Sequence, residues 1–405
     1  MKKTLYLIIG IIVVVSIFSF YKTGAYRFEW QEIPDTVVVN SCLNITKSGS
    51  YVLGADIVNK TEGSCINVIN TDNVELDCQD YTVTSEYEKY AVKLEGSSGF
   101  EIRNCNLESR INVVIDQGTH SMLMIDNSMG GLVSNSFVGG NFTNVRNSSS
   151  VIIENSVFIG ELQFYRSDHS VIRDNSFSGT AGSLLTLIEG NNNSVIGNEF
   201  DGQSDGVYQP DSIDAIGSDD AIVIKAESND LIQENIMKNF WDCGIENDEF
   251  VFGSQMIGNE IENTGVCGIG GWYRSSVRGN TIKDNLVSYS PRMFLFFRFE
   301  PLQPNEDFIY FSDNTFEDNV FINPKVMTGH NELTDASKMS IGNSLISPED
   351  VIVENNILRN NNFGAISLPI VLSPFSGFID DGGNICPPVH PTDIDLGFPI
   401  DCNQL

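Results

Sequence analysis

Positive charge is scarce in this chain of 405 residues: 23 Lys and Arg stand against 54 Asp and Glu, a formal net charge of −31. Nucleic acid is therefore not an expected partner, because phosphate recognition needs the opposite sign. Histidine is rarer still, with His120, His169, His330 and His390 too scattered to form a ligand pattern. Cys-x-x-Cys spacing is absent, which leaves a zinc site without its usual framework. There is no Gly-x-x-x-x-Gly-Lys-Ser/Thr loop, no Gly-x-Ser-x-Gly and no His-Glu-x-x-His. Neither is there a Gly-Gly-x-Gly-x-Asp calcium nonapeptide or a long heptad run. The acidic surplus reads first as solubility, with a saline habitat or cation binding as alternatives.

What the chain has instead is one short sentence, repeated. Ser150–Phe158, Ser170–Phe177 and Ser194–Phe200 each carry an apolar residue, two further residues, Asn, one residue and another apolar residue. The skeleton fits Ile152/Asn155/Val157, Ile172/Asn175/Phe177 and Val195/Asn198/Phe200. It returns at Ile232/Asn235/Met237, Met256/Asn259/Ile261, Val277/Asn280/Ile282, Phe311/Asn314/Phe316 and Ile352/Asn355/Ile357, and upstream at Leu132/Asn135/Phe137. Met124/Asn127/Met129 also fits but lies too near Asn135 for a separate coil, so one of those two matches belongs to another leg. Short β-branched and aromatic runs broken by Asn, Ser and Gly are strand–turn punctuation. A unit this small cannot bury its own apolar face and must stack on its neighbours. The expected fold is all-β: a right-handed parallel β-helix with coils roughly 4.8 Å apart. Asn suits the corners because it tolerates the left-handed backbone region and can bond the coils above and below.

Four segments are expected. Residues 1–21, with Lys2 and Lys3 ahead of an apolar run, form a signal peptide or a membrane anchor that sends the rest outside. Residues 22–36 form a stalk, 37–382 the β-helix with its N-terminal cap coils, and 383–405 a disulfide-bonded seal. The even count of eight cysteines in an exported chain favours disulfides. Cys243-Gly244-Ile245 and Cys267-Gly268-Ile269 match about one coil apart, which puts Cys243 and Cys267 within bridging reach. Cys78 and Cys105 follow similar strands. Cys42–Cys65 would staple the cap and Cys386–Cys402 the seal. Five Asn-x-Ser/Thr sequons, at Asn44, Asn59, Asn141, Asn147 and Asn192, are open to glycosylation or to chance in so Asn-rich a chain.

Three gaps interrupt the period, at 201–229, 283–308 and 317–350, and mark loops that project from the stack. Insertions on one face of a solenoid are where function tends to sit. The first holds Asp201, Asp205, Asp211, Asp214, Asp219 and Asp220 and runs into the strand Ala221–Lys225. The next coil brings Trp241, Asp242, Glu246, Asp248 and Glu249, and the one after it Trp272, Tyr273 and Arg274. Paired carboxylates beside aromatic platforms are what glycoside hydrolysis needs. Asp214, Asp219 and Asp220 are the catalytic candidates; Trp241, Glu246, Trp272, Tyr273 and Arg274 are the carbohydrate-binding ones. The alternative is plain: Asp and Gly form turns, and an acidic protein has acidic loops. Calcium is a possible occupant of such a cluster, and no other cofactor is expected. The aromatic stretch Pro291–Glu300 is either a buried strand or a flanking loop. Its Arg292 and Arg298 suit salt pairing better than an anionic sugar.

The repeated Val-Ile-x-x-Asn-x-Phe units resemble the pectin lyase-like superfamily, and more closely the NosD-type and carbohydrate-binding/sugar-hydrolase (CASH) repeats of surface and periplasmic proteins. The opening pattern Cys42…Gly49-Ser50-Tyr51-Val52-Leu53…Cys65-Ile66…Val74-Glu75-Leu76-Asp77-Cys78 is similar to the first coils of archaeal-type members. The resemblance spans about residues 37–382 and implies the fold rather than an activity, since lyases, hydrolases, epimerases, binders and inert spikes share it. Asp219-Asp220-Ala221-Ile222-Val223-Ile224-Lys225 resembles the paired-Asp strand of polygalacturonases. Where that family has Gly-His-Gly, this chain has Asp242-Cys243-Gly244, and no later Arg-x-Lys is evident. Copper delivery, implied by the NosD likeness, lacks His/Met ligand clusters. The expectation is an exported or membrane-anchored surface protein that binds or processes polysaccharide on the lateral face. The alternative is a non-catalytic adhesive spike or spacer.

Overall fold

The computed structural model describes residues 36–385 except 61–62, 86–89, 110–120, 180–181, 208–216, 272–275, 299–307, 324–340, 346–350 and 363–377. The expected signal or anchor, all but the last residue of the stalk, and the Cys386–Cys402 staple lie outside the described residues. Among the described residues there is no helix at all, and so none long and apolar enough to cross a membrane.

Among the described residues, fourteen strands, from Val37–Val39 to Phe378–Asp380, stack in one all-parallel sheet. The other 24 described strands form further parallel ladders, joined where long strands such as Val157–Tyr165 and Cys243–Phe252 bend from one ladder to the next. One coil can be followed by hand. Val171–Arg173 lies in the fourteen-stranded sheet, Ser176–Ser178 in a second ladder and Leu185–Ile188 in a third. The chain then returns to the first sheet at Ser194–Ile196, in register on Val171–Arg173. Alternate side chains point inward, as the pleat requires. Phe158, Phe177 and Phe200 fill one internal row, with ring centroids 5.1 and 4.6 Å apart. Met237, Ile261, Val287 and Phe321 continue the row and are fully buried.

Corners are built from two residues with separate tasks. The first takes the left-handed region, as do Asn127, Asn135 and Asn155 (φ 48°, 48° and 50°). The second accepts the backbone N–H of the coil before it through its side chain. Asn175 N donates to Asn198 Oδ1, Asn198 N to Asn235 Oδ1 and Asn235 N to Asn259 Oδ1, at 3.0, 2.9 and 3.1 Å. The row runs on through Asn285, Asn319, Asn361 and Asn384. This division corrects the repeat as read from sequence. Asn135, Asn155 and Asn355 occupy the left-handed position, and their neighbours Ser136, Ser156 and Asn356 hold the internal rows. Asn280 and Asn314 belong to a different corner from Asn235 and Asn259. The two crowded matches are two legs, as expected: Met124 lies in Ser121–Asp126 and Leu132 in Met129–Ser134.

Disulfides join equivalent positions of neighbouring coils. Cys42–Cys65, Cys78–Cys105 and Cys243–Cys267 have Cα separations of 4.5, 4.7 and 4.6 Å, one strand spacing each. Such bridges persist in oxidising compartments outside the cytosol. The aromatic stretch contains a strand, Phe294–Arg298, that pairs with Cys267–Gly271 and Ile341–Leu345. Phe294 and Arg292 are fully buried, so Arg292 is no surface anion ligand.

Candidate carboxylate site

The first gap is one coil widened by a loop, since Asn198 bonds directly to Asn235 across it. Its neck is closed by backbone: Ser204 N donates to Asn239 O at 2.9 Å and Ser218 N to Gly202 O at 2.7 Å. At Gly217 (φ 90°) the chain re-enters, and a Cβ there would strike the backbone of Gly202 and Ser204. The re-entry delivers Ser218, Asp219 and Asp220 to the head of strand Ile222–Ser228.

The next coil stacks on this triplet. Trp241 N donates to Ser218 O (3.2 Å), Asp242 N to Asp219 O (3.1 Å) and Cys243 N to the Asp220 carboxylate (3.0 Å). Asp219 therefore sits over Asp242, and Asp220 over Cys243. Glu246, three residues on, lies in register with Val223 on one side and Gly270 on the other. The Cys243–Cys267 bridge ties this coil to the third, whose Val266 N donates to Asp242 O at 3.0 Å.

Four carboxyl groups thus meet, and burial governs the protonation of Asp219, Asp220 and Glu246. Desolvation pushes Asp219 up to about 7, although the residue as a whole is only half-buried. Asp220, 1% exposed, is raised well above the carboxylate range by desolvation and by the charges of Asp219, Glu246 and Asp242, against which the Cys243 N–H works weakly. Glu246 is raised to about 8 by desolvation and by Asp219 and Asp248, opposed by a hydrogen bond with Asp220 and by the Lys225 ammonium. Oδ1 of Asp219 is buried without a hydrogen-bond partner. Beneath the cluster lies Arg292, whose Nη1 donates to Val266 O at 3.3 Å. Burial lowers it to about 10 while Asp242 pulls it back up, so it stays charged at neutral pH and sets a fixed positive charge behind Asp242.

Of the residues expected from sequence, Asp219, Asp220 and Glu246 come together, with Trp241 half-buried beside them. Asp214, Trp272, Tyr273 and Arg274 lie outside the described residues. Lys225 bridges Asp248 and Glu249 at 2.9 and 3.2 Å. Sequence reasoning left Asp242 out of the catalytic set, although its 23-residue offset from Asp219 was the available signal. It placed Arg292 in a surface salt pair rather than in the interior, and it missed a second buried carboxyl pair one corner away, for which no sequence signal existed. In that pair Glu227 and Asp230 are each 1% exposed. Glu227 accepts from Gly190 N at 2.6 Å and Asp230 from Asn193 N at 2.8 Å. Burial and mutual repulsion raise Glu227 to about 9, and burial raises Asp230 to about 7.

Ligand atoms of Asp220, Asp242 and Cys243 lie within 4.8 Å of one another. The Cys243 sulfur is bridged to Cys267 and is no metal ligand, which leaves two carboxylates from this set. Calcium takes about six to eight oxygens, so Asp219, Glu246 or solvent would have to complete such a site.

No family model matches the sequence, and no curated protein is detectably similar to it. Solved structures do match. The periplasmic alginate epimerase AlgG superposes with a TM-score of 0.51 at 11% identity, over 83% of this chain and 77% of that one. Tailspike protein 3 (TSP3, orf212) of bacteriophage CBA120 gives 0.50 at 10% identity, over 84% of this chain and 52% of that one. At such identities the likeness is one of fold alone: a parallel β-helix.

Proposed function

We propose that this is an exported β-helix protein that binds and hydrolyses a glycan at the carboxylate cluster of Asp219, Asp220, Asp242 and Glu246. One observation carries the reading: adjacent coils set Asp219 over Asp242 and bring carboxylate oxygens of Asp220 and Asp242 within 4.8 Å. Hydrolysis needs one carboxyl that keeps its proton and one that does not, flanking a single bond. Asp219, raised to about 7, is the acid: it protonates the glycosidic oxygen as the bond to the anomeric carbon breaks. Asp242, backed by the Arg292 charge, is the base: it takes a proton from the water whose oxygen bonds to that carbon. Asp220 and Glu246 share a hydrogen bond beside them, and burial favours the protonated form of both. Trp241 offers a face for a sugar ring.

A glycan screen with the full-length protein, with and without calcium, tests this by scoring binding and newly released reducing ends together. Release that drops at least about a hundredfold in Asp219→Asn, with the melting temperature kept, is the expected result. Binding without release in the wild type would make the site a lectin-like surface. Neither binding nor release would leave the protein as an adhesive or spacer rod.

A further inference from the structure

The outer face of the fourteen-stranded sheet differs from the chain as a whole in charge and in outline. We propose that it is a self-association surface: two copies of this chain pack it face to face about a two-fold axis. The axis runs parallel to the strands and passes between Leu231–Gln233 and Gln255–Ile257.

The outline comes from the corners. From Glu101–Arg103 to Thr315–Glu317 each strand of this sheet leaves by a corner of only two residues, such as Asn155-Ser156 or Asp174-Asn175. The inserts that carry residues 208–216 and 324–340 enter between strands of the other ladders. None of these corners raises a loop over the sheet.

Two columns of side chains face outward, because alternate residues of each strand do so. In the first, Leu132, Ile152 and Val171 follow one another in register. Across the next three strands, Ser194–Ile196, Leu231–Gln233 and Gln255–Ile257, neither column holds an ionisable residue. From Met129–Ser134 to Asn356–Arg359 the columns carry three cations, Arg173, Lys283 and Arg359, and two acids, Glu154 and Glu317. All five are ion-paired within the face. A strip this close to neutral lies in a chain of net charge −31. Two such copies repel wherever their acidic surfaces meet, and least here.

Complementarity selects the axis. The rotation lays each column on its counterpart and reverses the order of the strands. Arg173 then meets Glu317 of the second copy, and Glu154 meets its Arg359. Ile152 meets Ile357, and Leu132 meets Ile379, which is 51% exposed. Moving the axis by half a strand spacing would set Arg173 against Lys283 or Arg359 instead. The corner acids Asp174, Glu234 and Asp284 stand at the rim, where salt screens them. The strands from Met129–Ser134 to Phe378–Asp380, at roughly 4.8 Å each, and two columns about 7 Å apart with a margin on either side cover roughly 600 Å² per copy. The total of about 1,200 Å² reaches the lower end of a specific interface. The carboxylate cluster heads strands of other ladders and stays open in the pair.

Sedimentation equilibrium on the full chain, from about 1 to 100 μM in about 0.3 M salt, tests this by reading the mass. A two-copy species that grows with concentration is expected. Leu231→Glu, beside the axis, should weaken it at least about tenfold, since the acid is buried there without a partner. Ile159→Glu, 45% exposed on another ladder, should leave it unchanged. Arg173→Glu should weaken pairing about tenfold, and Arg173→Glu with Glu317→Arg should restore most of the loss, because those positions lie opposite each other only between copies. All these side chains face outward, and an unchanged melting temperature checks that each variant is folded. A single-copy mass at every concentration would overturn the proposal. So would association that ignores Leu231→Glu or that Ile159→Glu weakens equally. A folded double charge swap that fails to restore pairing would overturn the two-fold packing. The wild-type mass needs no variant, so a folding defect cannot hide the answer.

Discussion

Two corners of the same coils solve one problem in different ways. Along Asn175, Asn198, Asn235, Asn259, Asn285, Asn319, Asn361 and Asn384 the internal row is all amide. From Asn198 onward each Oδ1 accepts from the backbone and side chain of the coil before, and each Nδ2 also reaches a carbonyl, as Asn235 does to Val195 O at 2.9 Å. An amide both donates and accepts, so the row satisfies itself. The other corner runs Ser170, Asn193, Asp230, Ser254, Asn280, Asn314 and Asn356, and there a carboxyl interrupts it. A carboxylate only accepts. Oδ2 of Asp230 is left without a donor, and Glu227 packs beside it. The missing amide hydrogen is replaced by a proton from solution, so the first corner is indifferent to pH and the second is not.

The comparison breaks most sharply if the amide row is cut. Asn235→Ala strips an acceptor from the backbone and side chain of Asn198 and a donor from Val195 O. At about 1–3 kcal/mol for each buried group left unsatisfied, a loss of about 3 kcal/mol or more is expected in denaturant unfolding. Equal stability of this variant would mean the row is ornamental.

The acidic corner should show itself in the pH profile of unfolding. Glu227, Asp230, Asp219 and Glu246 keep protons in the folded chain up to about 9, 7, 7 and 8. The unfolded chain gives them up near ~4, at ordinary Asp and Glu values. Between those limits the folded state binds more protons, so stability falls as pH rises from about 4 to 9, by roughly 1.4 kcal/mol per pH unit for each proton retained. A melting temperature that climbs over that range would contradict the assignment. Glu227→Gln supplies the hydrogen permanently. It should flatten the slope and raise the melting temperature at pH 8 while changing little at pH 4.5.

Asp230→Asn restores the amide pattern and should act in the same direction, with a smaller gain, because Asp230 is raised less than Glu227. Last comes a control on the outer surface. Arg173 pairs with Glu154 at 2.5 Å, but its side chain is 49% exposed. Glu154→Gln should shift stability by no more than about 0.5 kcal/mol, and even that should fade in salt.

The period was legible because geometry forces it: each corner needs a residue that tolerates positive φ, and Asn is the common answer. The phase was less legible. In Asn155-Ser156 and Asn135-Ser136 either side chain can bond backbone, and sequence does not say which residue turns and which holds the row. Cysteine pairing was readable for Cys243 and Cys267 because equal positions in neighbouring coils lie one strand spacing apart. The same arithmetic places Asp242 under Asp219. Arg292 was beyond reach: an arginine in an acidic chain looks like a surface ion pair until its burial is seen. So was the Glu227–Asp230 pair, whose members read as ordinary strand-end acids.

Consecutive members of the amide row are 23, 37, 24, 26, 34, 42 and 23 residues apart, yet each step is the same pair of hydrogen bonds. Sequence length and axial advance are therefore independent quantities in this molecule. A coil of 42 residues carries the chain no farther along the axis than one of 23. The fourteen-stranded sheet rises about 62 Å at roughly 4.8 Å per strand, whatever is added at its flanks. New loops can be grafted or trimmed beside the carboxylates, at the Gly202–Gly217 neck above all, as on a ruler whose graduations stay fixed while tabs are fastened to its edge.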